Sequence, residues 1–456
     1  MYTISSCGNL PNVGSSVGGA VFTVGDAIIT NCQFTSNTAT PSQSEDDIDC
    51  LGSTSQRAVG FGGALTCNGN LNMSNCYLYG NNSANGGAMF IGGSGDYVSL
   101  TNCVFKENKS ITSGFGNYGG AVNVSTNRST PITFTGCLFE SNAASLGGAI
   151  LCPNENQDST IACQFDDCRF SNNQATQNSG LPDLEPYGYG GSVCLAGPTN
   201  FIFTDCIFEG NGSWNDGGAI NVQYSGSNLT MDGCELRSNS CGIGINGYGG
   251  AIRFYDEASG SFSDCDISNN TAKQYGGGIS VRNGSYIQIS NCTLTENTAT
   301  NDDGGGIYFD SATGTVTYTT VFGNSADGDG GGIHIRDAVP AAIIDYCHVT
   351  NNTTGDHGGG IWAYSESDLS LTNTTACNNT SSDDDSTSQV DPDDYYCCGN
   401  TIQDTCSATC PGDLNFDGIM DVADLLILIA EWTASDSIQI DTLLTILSEF
   451  GQPCPD

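Results

Sequence analysis

Apolar residues in this chain alternate with polar ones in short bursts, and the bursts recur at a nearly constant interval. Residues 276–297, G-G-G-I-S-V-R-N-G-S-Y-I-Q-I-S-N-C-T-L-T-E-N, hold one full cycle. Glycines open it. Ile279 and Val281 form a first alternation, Ile287 and Ile289 a second, and Cys292 and Leu294 a third; Asn297 closes the cycle. Alternation with period two predicts strands with one buried face. The glycine doublet recurs at residues 18, 62, 86, 119, 147, 190, 217, 249, 276, 304, 330 and 358, and its last five intervals are 32, 27, 28, 26 and 28 residues. A repeat of this length predicts a solenoid.

Each strand is too short to pair through its own hairpin. Stacked on the next repeat, each pairs in parallel at about 4.8 Å. Three parallel sheets then enclose one apolar core, and the backbone polar groups are satisfied between rungs. The prediction is an all-β solenoid of about twelve rungs spanning residues 1–380. The glycines suit a corner that needs positive φ or close backbone approach. Asparagines at 37, 81, 108, 142, 173, 211, 239, 270, 297, 324, 352 and 378 suit another corner, where amides can stack and hydrogen-bond along the rod. Long loops are expected near 111–118 and 177–189, and an acidic insertion is expected near residues 45–50.

Cysteines at 32, 76, 103, 137, 168, 206, 234, 265, 292 and 347 share one repeat position, interrupted by Thr319. They are expected as a buried ladder of small side chains, although neighbouring rungs also lie within disulfide range. Cys152 and Cys163 flank a loop and are expected as a disulfide.

The motif G-G-A-I at 147–150, 217–220 and 249–252, with F-x-x-N at 34–37, 105–108, 139–142, 170–173 and 208–211, resembles the repeats of the chlamydial polymorphic outer-membrane proteins and related adhesin-like chains. The resemblance covers about residues 1–380. It implies a right-handed parallel β-helix, the fold shared with pectate lyases. That fold serves adhesins, lyases, hydrolases and spacers alike.

Charge and composition narrow the function. Ten basic residues face 50 acidic ones, for a net charge of −40. Such a field repels nucleic acid and anionic membranes and favours divalent cations. No stretch is apolar for long enough to span a membrane, and no signal peptide is visible at the start. The 23 cysteines suggest an oxidising, extracellular or cell-surface compartment. Asp216, Asp302, Asp303, Asp327, Asp329 and Asp356 precede glycines in late repeats. They are expected either as solvated corner acids or as a ladder with calcium between like charges.

The residues flanking the inward positions of the strand after each glycine corner are expected to point outward. Early rungs place Thr66, Asn123, Ser125 and Leu151 there. Late rungs place Arg253, Tyr255, Arg282, Tyr308, Asp310, His334, Arg336, Trp362 and Tyr364 there. Aromatic rings beside guanidinium and carboxylate groups suit polysaccharide or cell-surface glycan binding, although strand faces favour Tyr and Trp in any case. The alternative is a polysaccharide lyase or glycoside hydrolase acting on an acidic glycan, in which Arg282, Arg336 and His334 would serve β-elimination beside calcium.

Residues 381–409 read as an acidic, cysteine-containing linker, and residues 410–456 as a separate module. In the latter, Asp413, Asn415, Asp417, Asp421 and Asp424 occupy calcium-loop positions 1, 3, 5, 9 and 12. Gly418 stands at the sharp turn, and Ile419 offers its carbonyl. A helix with Leu425, Leu428, Ile429 and Trp432 on one face follows. The module resembles a dockerin, which implies a cohesin-like or cell-envelope partner. Its second helix, 442–451, echoes the first. The corresponding loop positions, Glu431, Thr433, Ser435, Gln439 and Thr442, do not form a calcium site, so one Ca2+ is expected. Cys410 and Cys454 flank the module and are expected to pair. Asp417→Ala should remove one calcium equivalent from the full chain, read by calorimetric titration.

Overall fold

In the computed structural model, the described residues are 2–5, 19–39 and 60–403, except 94, 111–116, 127–129, 154–159, 178–187, 245, 366–367, 383–388 and 392–399. The calcium loop, the Cys410–Cys454 pair, the 45–50 insertion and most of the two long loops lie outside them. Among the described residues no α-helix occurs, and no helix is long and apolar enough to cross a membrane.

One cycle forms one coil. Ile279–Arg282, Tyr286–Ser290 and Thr293–Thr295 are strands in three successive sheets, and Thr298–Ala299 adds a two-residue strand at the last corner. Each pairs in parallel with its counterpart in the next coil: Ile279 with Ile307, Ile289 with Val316, and Leu294 with Val321. The three main sheets hold thirteen strands each. Like side chains therefore sit above like. Phe105, Phe139, Phe170 and Phe208 form one ring stack with centroid spacings of 4.8, 4.7 and 4.6 Å, and all four are fully buried.

The two glycines of each doublet do different work. Gly276 adopts φ 68°, which L side chains rarely accept. A Cβ on Gly277 would lie 2.3 Å from the carbonyl oxygen of Gly305 in the next coil. The asparagine corner is also chemically specific. Asn270 Nδ2 donates to Leu236 O at 2.8 Å and to Asn297 Oδ1 at 2.9 Å. Its Oδ1 accepts from Asn239 N and Nδ2, at 2.9 and 3.0 Å. Every donor and acceptor of that buried amide is thus satisfied.

The ladder runs without a break from Asn37 to Asn379 and ends on Gln389, whose Oε1 accepts from Asn379 Nδ2 at 2.9 Å. The expected member Asn378 instead takes the left-handed corner before it, with φ 55°. The error came from two adjacent asparagines, and the F-x-x-N spacing measured from Ala376 selects the second. Strand pairing also continues past residue 380, through Val390–Asp391 and Thr401–Gln403.

The cysteine column is buried as expected. Cys137 Sγ donates to Leu100 O and Thr135 O, at 3.6 and 3.5 Å. Thr319 copies the intracoil bond, donating to Thr317 O at 2.8 Å. Burial pushes the Cys347 thiol up to about 12, so it stays protonated. The expected Cys152–Cys163 disulfide is not present, since both are buried free thiols. They lie on strands of two different sheets, Ile150–Pro153 and Ile161–Asp166, and each points into the common core.

Asn270→Ala should lower stability by about 3 kcal/mol, because it leaves several buried partners unpaired. Cys292→Thr should cost less than about 1.5 kcal/mol, because Thr already fills this position one coil away. Denaturant unfolding of both variants checks the contrast.

Candidate functional site

The strand after each glycine corner presents its second and fourth residues away from the core. In register, the second position runs Asn221, Arg253, Ser280, Tyr308, His334, Trp362. The fourth runs Gln223, Tyr255, Arg282, Asp310, Arg336. The sequence places both columns in water. The structure buries most of the second: Thr66, Asn123 and Leu151 early, then Arg253 at 7%, Tyr308 at 2% and His334 at 2% exposure. Ser125 is half-buried.

The cause is the glycine corner. A Cβ on Gly304 would lie 2.8 Å from Tyr308 Cβ, so the reversed chain lies directly over the strand it enters. The segment before the glycines forms its own row of parallel bridges, including Tyr118 to Leu146, Leu146 to Tyr189, and Tyr248 to Tyr275. Side chains from that row cover the second column. Alternation reports which residues avoid the core, but it does not report a further layer outside the sheet.

The arginines of this outer layer pair with neighbours in it. Arg253 Nη1 meets Asn221 Oδ1 at 3.2 Å and Asp216 Oδ2 at 3.5 Å. Its guanidinium lies 4.2 Å from the Tyr255 ring centroid, a cation–π contact. Asp216 is 2% exposed, and burial raises its carboxyl above the usual range, with Arg253 opposing the shift. Arg282 donates to Asp310 Oδ2 from Nε and Nη2, at 3.2 and 3.0 Å, and lies 4.5 Å from the Tyr248 ring centroid. An aromatic ladder continues from Tyr248 through Tyr275, Tyr308 and His334 to Trp362 and Tyr364, with spacings of 5.4, 4.6, 4.8, 4.4 and 5.9 Å.

Of the expected strip, solvent reaches the C-terminal end. The Arg336 side chain is 53% exposed, Tyr364 is 67% exposed, and Trp362 is half-buried. The expected lyase trio is not assembled around a common space open to substrate. His334 is sealed between Tyr308 and Trp362, and Arg282 is engaged by Asp310.

Burial holds the His334 imidazole down to about 3, so it is neutral at ordinary pH. Neither of its ring nitrogens closes a hydrogen bond of good geometry. Nearby, Asp303 Oδ1 accepts from Asp329 N at 2.9 Å, and burial with the neighbouring carboxylates pushes Asp303 up to about 6. Asp327 and Asp356 are exposed, and Asp302 is half-buried. The pre-glycine aspartates thus divide between a buried ion pair, a half-buried cluster and open surface.

A second aromatic feature lies elsewhere. The residue before each ladder cysteine or threonine adopts left-handed φ. It is Asn31, Asn75, Asn102, Gly136, Asp167, Asp205, Gly233, Asp264, Asn291 and Asn373 in ten coils, but Tyr318 and Tyr346 in two. Asn, Asp and Gly adopt this conformation at lower cost than a bulky residue does. Tyr318 and Tyr346 hold φ 50° and 53°, stack at 5.1 Å with 10° between planes, and are 61% and 48% exposed. The sequence carried a signal for them: two tyrosines in a column otherwise made of Asn, Asp and Gly.

Arg253→Ala should strand the buried Asp216 charge and destabilise the protein by about 3–5 kcal/mol. Adding Asp216→Asn should recover most of that loss. Urea unfolding of the single and double variants measures the recovery.

Residues 245–380 match the family model described as the right handed beta helix region. No curated protein and no solved structure matches the chain. With its strands stacked in parallel, coil upon coil, and this match over its most regular part, the described chain is a right-handed parallel β-helix.

Proposed function

We propose that this is a secreted or cell-surface β-helix protein that binds polysaccharide or mediates adhesion. The observation that carries the reading is the stacked, exposed Tyr318–Tyr346 pair. Two bulky residues hold a backbone conformation that disfavours them, on successive coils, and neither ring is buried in return. Strain of that kind at a surface is associated with function. Flat aromatic faces with a polar tip suit the mixed polar and apolar faces of sugar rings. Arg336, Trp362 and Tyr364 offer a second, more polar surface, where a guanidinium can grip a carboxylate of an acidic glycan.

The resemblance to adhesin-like repeats supports the same reading, as does the dockerin-like tail. That tail, with Asp413, Asn415, Asp417, Ile419, Asp421 and Asp424 around one Ca2+, would attach the coil to a cohesin-like or cell-envelope partner. The lyase alternative draws on fold analogy, and the sealing of His334 weighs against its expected base.

The corner chemistry supplies a clean test. Tyr318→Asn and Tyr346→Asn install the residue used by other coils, so stability should hold or rise. Glycan affinity on a carbohydrate array, then by titration with the best ligand, should fall at least ten-fold. Unchanged affinity in both variants, and in Arg336→Ala and Tyr364→Ala, would sink the glycan reading. Incubation with polygalacturonate or alginate and calcium should release no unsaturated product, followed by ultraviolet absorbance.

A further inference from the structure

We infer that Asp303, Asp329 and His334 form a binding site for a divalent transition-metal ion of the zinc class, bridging two successive coils. Asp303 and Asp329 hold equivalent places in those coils, each immediately before a glycine run. His334 is the second residue of the strand Ile333–Arg336 that follows Asp329. One ligand atom from each of the three residues lies within 4.8 Å of the other two.

An acidic corner alone would not point to an ion, because solvated carboxylates are common. His334 is the independent observation. Its side chain is 2% exposed, and neither buried ring nitrogen closes a hydrogen bond of good geometry, the backbone of Asp329 being the one polar group besides Asp303 near enough to act on the ring. Leaving a buried polar group unpaired costs free energy. The nearest acidic oxygen, Asp303 Oδ2, stands 3.6 Å from Nδ1, too far for a hydrogen bond. A tetrahedral ion with bonds of about 2.1 Å holds its ligand atoms about 3.4 Å apart. An ion between these two atoms therefore satisfies the imidazole with almost no movement.

The rest of the cluster fits. Asp303 uses Oδ1 to accept from Asp329 N, which fixes the carboxylate and leaves Oδ2 toward the imidazole. Side-chain exposure of Asp303 is 22%, which gives the ion a route from water. Tyr308 and Trp362 pack on the imidazole at 4.8 and 4.4 Å and hold its orientation. Among the described residues no other coil offers this set. The residues in register with His334 on the nearer coils include Asn221, Arg253, Ser280, Tyr308 and Trp362, none of them a nitrogen ligand of this kind.

The neighbouring group Asp329, Asp356 and His357 is different. His357 Nδ1 already contacts Asp329 Oδ1 and Asp356 Oδ1, at 3.0 and 3.1 Å, so contacts within the group account for it, and Asp329 is left with Oδ2 to offer the zinc. The ligand set also excludes calcium as the best fit. Calcium takes six to eight oxygens, whereas imidazole with carboxylate suits zinc and its neighbours. Three protein ligands leave one position for water or a ligand oxygen.

The test uses the full chain, stripped with a chelator and titrated with Zn2+ by calorimetry. Bound metal is counted by elemental analysis, and a crystal is read for anomalous scattering at the zinc edge. The expected result is one zinc held between the named residues, with a rise in Tm on zinc addition. Asp303→Asn keeps the shape of the corner, and His334→Phe keeps a ring in the aromatic ladder. Each should weaken that zinc at least ten-fold and abolish its Tm shift, while the metal-free variants stay folded by circular dichroism. If His334→Phe does not fold, Asp303→Asn alone decides. The inference is overturned if the wild type takes up no zinc there, or if these variants bind it as tightly as the wild type. It is also overturned if His357→Ala, but neither of them, removes the ion.

Discussion

The whole coil depends on one requirement: successive turns must stack in strict register. A parallel β-coil has no hairpins to set its register, so side chains that hydrogen-bond to their counterparts one coil away must do so. The asparagine ladder meets this need. Each amide binds the next amide, and also a carbonyl of the preceding coil, at distances near 3 Å. A slip of one residue would break these bonds and turn every apolar column outward. The phenylalanine stacks and the cysteine column follow that register, since identical residues then lie one coil apart.

Register has a second consequence outside the core. Whatever one coil places at a given position, the next coil meets directly. Arg253 finds Asn221 on the preceding coil, Arg282 finds Asp310 on the following one, and His334 lies between Tyr308 and Trp362. In a chain of net charge −40, scarce arginines are thereby committed to specific acids. What a sequence-based view takes for an exposed recognition strip is largely a packed outer layer, with open surface at its C-terminal end. The tyrosine pair Tyr318–Tyr346 arises from the same stacking at another corner, but there nothing covers it.

The cysteine column shows how little chemistry the repeat position demands. A small side chain with one weak donor is sufficient, and Thr319 and Thr374 satisfy it as Cys292 and Cys347 do. Buried thiols of this kind behave as small hydrophobes. A high cysteine count in a solenoid therefore reads differently from the same count in a small disulfide-bonded domain, where no stacking explains the spacing.

Periodicity alone determined the strands, their parallel stacking, the glycine and asparagine corners and the buried thiol column. Each is a local property repeated at constant interval, and repetition makes a weak local signal legible. Even the single displaced residue, Asn379 in place of Asn378, lay within the F-x-x-N spacing. Only the tertiary structure decided that Arg253, Tyr308 and His334 are covered, because their cover comes from the segment before the glycines, folded back by a positive-φ corner. It alone brought Asp303, Asp329 and His334 together, since their meeting depends on how far the glycine runs advance the chain between coils. Alternation states on which side of a strand a residue stands; how many layers lie beyond that side is a fact about the packed chain.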